Sequence, residues 1–170
     1  MSIVYKQKGE YVNIIVGVSD MKVSNDADAV LIAYSLGSCI GISVYDPVAK
    51  VGGLLHFMLP ESKLDEGKAQ KNPFMFADTG IQALFEAAYK LGAVKERMKV
   101  VVIGGAKILD QKSFFNIGKR NHIAARKIFW KNKIMIDYEE VGGSVNRTIK
   151  LSIKTGETWL KTLGQEFRKI

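Results

Sequence analysis

The stretch CIGISVYDPVAKVGGLLHFMLP, residues 39–60, constrains the fold more than any other. Ile40, Ile42 and Val44 alternate with Cys39, Gly41, Ser43 and Tyr45, and a period of two belongs to a strand. Asp46-Pro47-Val48-Ala49 supplies the reversal, because Asp and Pro both favour tight turns. A second extended apolar run, KVGGLLHFMLP, follows and is stopped by Pro60. Residues 39–59 therefore read as a β-hairpin.

The flanking sequence supplies partners for it. Tyr11–Val18 and Ala29–Leu36 read as extended segments, with Asn25–Asp28 turning between them. Residues 61–73, ESKLDEGKAQKNP, are polar and lysine-rich and read as an exposed loop, of a length often used for lids or binding segments. A helix follows, with Asp78 as N-cap, Ile81, Leu84, Phe85 and Ala88 on one face, and Gly92 at its end. MKVVVIGGA reads as a buried strand running into a glycine turn. A second helix runs from near Asn116 to about Lys131, with Ile117, Asn121, Ala124 and Ile128 on one face. Ile134–Val141, Arg147–Lys154 and Glu157–Leu160 close the chain as β segments, with glycine pairs permitting the turns. Mostly antiparallel strands with two main helices point to an α+β layered fold, in a single domain over residues 1–170.

Composition narrows the function classes. A chain of 170 residues suits one ordinary domain. It has no apolar run of the roughly 20 residues that a transmembrane helix needs. Its first residues lack a basic segment followed by an apolar stretch and a cleavage site, so no secretory leader is expected and a cytoplasmic location is the default. One cysteine excludes an internal disulfide and a multi-cysteine metal site, and two separated histidines make a poor ligand set. Neither a metal nor another cofactor is expected. The net charge of +8 concentrates after position 90. It reads either as a solvated surface or as one that attracts an acidic partner. No RNA-binding, zinc-finger or helix-turn-helix signature accompanies it, so nucleic acid is not the expected partner.

The single cysteine carries the functional question. If Asp46 faces Ala49 across the turn, Cys39 falls directly opposite His56, on the same face of the hairpin. A one-residue slip would separate the two onto opposite faces. A thiol beside an imidazole can form a thiolate–imidazolium pair, a strong nucleophile at neutral pH. Gly37 and Ser38 permit a sharp backbone whose amides could hold an oxyanion. The competing reading is a small buried hydrophobe between Ile and Gly.

LGSC at Leu36–Cys39, then DPVAKVGG, then H-x-M-L-P-E-S from His56 to Ser62 closely resemble the chemoreceptor glutamine deamidase family, CheD. FADTGI at Phe76–Ile81, IGGA at Ile103–Ala106, NIGKRN at Asn116–Asn121 and VGG with NR at Val141–Arg147 agree in order and spacing. The resemblance spans roughly residues 10–160. It implies a layered α/β sandwich and a cysteine amidohydrolase that deamidates particular glutamines in the cytoplasmic helices of chemotaxis receptors. Cys39 takes the family's nucleophile position and His56 its histidine. The implied course passes through a γ-glutamyl thioester on Cys39, with oxyanion contacts at Gly37 and Ser38. Family members also bind a CheC-type phosphatase, so a binding module acting on such a partner is the alternative.

One position departs from the family. A threonine expected five or six residues before the cysteine is replaced by Ala33 and Tyr34. Three options stand: Ser35 substitutes, a backbone carbonyl orients the histidine, or the chain is a weakened enzyme kept for binding. Arg120 and Arg147 are candidates for a substrate groove or for loop anchoring, Asn121 reads as structural, and His122 as a surface residue.

Overall fold

The computed structural model describes residues 11–107 and 116–170. The first ten residues, where no leader was expected, lie outside the described residues. Ten strands follow in order: β1 Val12–Ile15, β2 Asp20–Ser24, β3 Ala29–Leu36, β4 Ile40–Asp46, β5 Val51–Phe57, β6 Lys99–Gly104, β7 Tyr138–Val141, β8 Arg147–Ser152, β9 Thr158–Thr162 and β10 Arg168–Lys169. Three α-helices are interspersed: α1 Glu66–Lys71, α2 Ala77–Lys90 and α3 Ile117–Lys131. The strands form two five-stranded sheets, β1-β3-β8-β9-β10 and β2-β5-β4-β6-β7. Pairing is antiparallel except for β1 with β3 and β6 with β7. No described helix is long and apolar enough to cross a membrane.

Strand alternation builds two cores, one on each face of the second sheet. Ile40, Ile42, Val44, Leu55 and Phe57 point toward α2 and α3, where Ile81, Leu84, Phe85, Ala125 and Phe129 cover them. Tyr45, Leu54, Val101 and Ile103 point the other way, into Leu31, Ala33, Leu36, Ile149 and Leu151 of the first sheet. The order is sheet, sheet, helices, an α+β sandwich. The sheets lie so close that a β-carbon on Gly52 would stand 2.5 Å from Ile153. That contact explains a glycine inside an apolar strand.

The hairpin forms, but its register differs from the expected one. Asp46 faces Val51, not Ala49, so four residues make the turn, the last of them Lys50 at φ +53°. The Asp46 side chain is fully buried and sets this geometry. It accepts from the amides of Val48, Ala49 and Val94 and from Arg97. The partner of His56 is therefore Gly41, two positions beyond Cys39. A shift of two leaves the faces unchanged, so Cys39 and His56 still share the inter-sheet side, as diagonal neighbours.

Other expectations are corrected in detail. Residues 61–73 are no loop throughout: they hold α1, capped by the Asp65 side chain, between two short 3₁₀ turns. Asp78 is not the N-cap of α2 but lies in its first turn, where its carboxylate accepts from the Ser62 amide and hydroxyl and so ties residues 61–65 to the helix. The buried face of α3 is Gly118, Asn121, Ala125 and Phe129, rotated from the expected one.

Candidate functional site

Cys39 sits immediately before β4, in the turn Gly37-Ser38-Cys39 that carries the chain from the first sheet to the second. The carbonyls of this turn are all engaged by the scaffold. Gly37 accepts from the Ala106 amide at 2.8 Å and Cys39 from the Gly105 amide at 2.8 Å. The Ser38 carbonyl accepts from Asn121 Nδ2 at 3.0 Å. In a trans peptide the N–H points opposite to the preceding carbonyl, so the Ser38 amide points away from Ala106 and the Cys39 amide away from Asn121. Glycines make this possible. Gly104 is held at φ +117°, and a β-carbon there would stand 2.3 Å from the Cys39 carbonyl oxygen. A β-carbon on Gly118 of α3 would likewise stand 2.4 Å from the Gly105 carbonyl oxygen.

His56 is 2% exposed, near the inner end of β5, and its cross-strand neighbours are Gly41 on β4 and Asp20 on β2. Neither of its ring nitrogens has a hydrogen-bond partner among the described residues. Burial pushes its basicity below that of an ordinary histidine, against smaller opposing contributions from the Val16 carbonyl and the Asp20 charge. Cys39 is half-buried, and burial pushes its thiol above the usual range, with its own amide pulling the other way. Both groups are therefore neutral at rest near pH 7. This differs from the thiolate–imidazolium pair that the sequence suggested, because the sandwich removes water from the charged forms of both.

Asn121 joins the two halves of the site. Fully buried on α3, it donates one amide hydrogen to Ser38 and the other to the Met58 carbonyl at 2.9 Å. It thus pins the residue before Cys39 to the strand end after His56. The sequence signalled only a residue on the inner face of a helix.

The remaining candidates are placed as follows. Ser35 occupies a bulge in β3 between Ala33 and Leu36, at φ +53°, and is exposed; the structure does not bring it to His56. Arg147 is 6% exposed and donates to Glu140 at 3.1 Å and to the Gly142 carbonyl at 2.8 Å. Its donors serve the Gly142-Gly143 loop. Arg120 is exposed and borders a shallow recess of about 180 Å³ with Pro60, Glu61 and Lys127. His122 is half-buried, paired with Glu139 at 3.0 Å. Among the described residues no cluster of three or more His, Cys, Asp or Glu could hold a metal ion.

Fold and site together define a class: an α+β sandwich whose only thiol and a buried imidazole lie on one face between the sheets. The chain belongs to the CheD family, whose model, described as CheD chemotactic sensory transduction, matches residues 58–162. Cys39 and His56 precede that segment, but relatives align over nearly the whole chain. A probable chemoreceptor glutamine deamidase CheD 1 of Syntrophus aciditrophicus is 52% identical over 93% of this chain and 99% of the relative. A probable chemoreceptor glutamine deamidase CheD of Solibacter usitatus is 48% identical over 90% of each chain. A third, from Anaeromyxobacter dehalogenans, is 40% identical over 88% of this chain and 94% of the relative.

Proposed function

We propose that this chain is a cysteine amidohydrolase that converts glutamine side chains of chemotaxis receptors to glutamate, through a γ-glutamyl thioester on Cys39. The observation that carries the reading is the inter-sheet face that Cys39 and His56 share. The activity itself is supported by the relatives' names.

Burial favours the neutral forms of both groups, which suits a proton transfer made during attack. His56 takes the Cys39 proton as sulfur attacks the carboxamide carbon, and the resulting imidazolium protonates the leaving nitrogen, which departs as ammonia. The Ser38 and Cys39 amides hold the oxyanion while it lasts. The acyl group is left on sulfur. A water then loses a proton to His56 and attacks the thioester, releasing glutamate and returning the proton to Cys39. The basic surface suits glutamate-rich receptor helices, in keeping with cytoplasmic work on the receptors.

Ammonia release from a purified receptor cytoplasmic fragment tests this directly. Cys39→Ala should abolish release while leaving binding to the fragment intact. Unchanged release would refute the nucleophile. Release absent even in the unaltered protein, with binding to a CheC-type phosphatase retained, would favour the binding module instead.

A further inference from the structure

Buried polar atoms are almost always paired, so those left over mark work to be done. Among the described residues they are Ser19 Oγ, both ring nitrogens of His56 and Asn121 Oδ1. The first three belong to one corner. β1 ends at Ile15 in the first sheet and β2 begins at Asp20 in the second, so Val16–Ser19 cross the gap as a strap. Asp20 is the cross-strand partner of His56, which puts the strap at the imidazole.

Ser19 is fixed there at both of its backbone groups. Its amide donates to the His56 carbonyl at 2.8 Å. Its own carbonyl accepts from Asn72 Nδ2 at 2.9 Å. Between those anchors it adopts φ +58°, a left-handed conformation that costs a non-glycine residue energy. A strained, closed-in serine tied to the His56 backbone points to a use for its hydroxyl, since glycine would fill the same backbone without strain. Asp20 faces the ring as well, but Lys22 and the Met21 amide hold its carboxylate.

We infer that Ser19 is the positioning residue for His56, its hydroxyl oxygen accepting the proton of the strap-side ring nitrogen. The second ring nitrogen is then bare and directed to the Cys39 side, as a base must be. This supplies the orienting hydroxyl that Ala33 and Tyr34 lack and that exposed Ser35 does not provide. The inference rests on Cys39 and His56 being the working pair.

Ring nitrogen chemical shifts of His56 in the unaltered protein come first: one tautomer is expected, and a mixture would overturn the inference. Cys39 alkylation by iodoacetamide is then followed against pH in the unaltered protein, Ser19→Gly, Ser19→Ala and His56→Ala. Ser19→Gly suits the left-handed backbone, so its melting temperature should hold or rise. Its His56 should become a tautomer mixture, and its alkylation at pH 7 should fall about tenfold, the loss of one hydrogen bond. Ser19→Ala should repeat the chemical loss. A serine variant with the same tautomer and profile as the unaltered protein sinks the role of Ser19, provided His56→Ala changes the profile. If His56→Ala changes nothing, the Cys39–His56 pair fails first, and this inference with it.

Discussion

Asn121→Ala tests how the site is held together. The amide is fully buried and its two donated bonds, 3.0 Å to Ser38 and 2.9 Å to Met58, cross from a helix to two separate strand ends. Each such bond contributes about 1 kcal/mol net, and stranding the carbonyls raises the loss. The vacated volume adds a cavity cost, for a total of about 3 kcal/mol. Against a stability of about 5–15 kcal/mol that is a large fraction. A domain of this size should lose about 6–12 °C in Tm. Urea unfolding should show a lower midpoint with an unchanged slope, since the fold does not change. Cys39 alkylation should become faster and lose its dependence on His56, because the turn is freed from the strand end. Asn121→Asp makes the sharper control: it replaces the shared donor with an oxygen facing two carbonyl oxygens. It should be at least as damaging at pH 7 and recover in part on acidification, when the carboxyl regains a proton. A loss below about 1 kcal/mol for Asn121→Ala, or equal behaviour of Asn121→Asp and the unaltered protein, would refute the argument.

Three further outcomes follow from other contacts. Burial pushes the Asp46 pKa up, but Arg97 and the amides of Ala49, Val94 and Val48 outweigh it, leaving that pKa well below the ordinary carboxylate range. Its contribution is present above pH 3.8 and lost as pH falls toward the folded value. The stability gap between the unaltered protein and Asp46→Asn should therefore be full at pH 5 and shrink below about pH 4 in chemical unfolding; a gap independent of pH contradicts it. His56, with its basicity lowered by burial, is neutral in the folded chain where the unfolded one takes up a proton, so unfolding becomes easier as pH drops below 6.5. His56→Gln should flatten that slope, measured by urea midpoints from pH 5 to 7. Gly104→Ala places a β-carbon 2.3 Å from the Cys39 carbonyl at φ +117° and should cost at least about 2 kcal/mol, with an altered Cys39 alkylation rate. An unperturbed thiol would show that the turn is not held from below.

The elements legible beforehand were those written in local chemistry. Alternation of Ile40, Ile42 and Val44 announced β4, and the spacing of Ile81, Leu84, Phe85 and Ala88 announced α2 with its buried face. The common face of Cys39 and His56 was also legible, because side-chain parity survives a register error of two. The register itself was not. It depends on Val94 and Arg97, which reach Asp46 from about fifty residues away and leave no mark near the turn. The helix α1 escaped notice because it buries no residue and carries no apolar period. Ser19 escaped for a deeper reason: a left-handed serine at a sheet-to-sheet crossing looks like any polar turn residue until both of its backbone partners are known.

Asp46 acts at a distance. Strands rise by about 3.3 Å per residue, so its carboxylate lies about 23 Å along β4 from the thiol. Yet it is the peg on which the hairpin is indexed: whichever residue it locks opposite itself decides which residue His56 meets at the far end. A chain that slipped by one place at this peg would exchange the two faces of β5 and turn the imidazole toward the helical layer, away from the sulfur. The chemistry of one edge of the sandwich is thus set by a hydrogen-bonded latch at the other, where a search for active-site residues would not look.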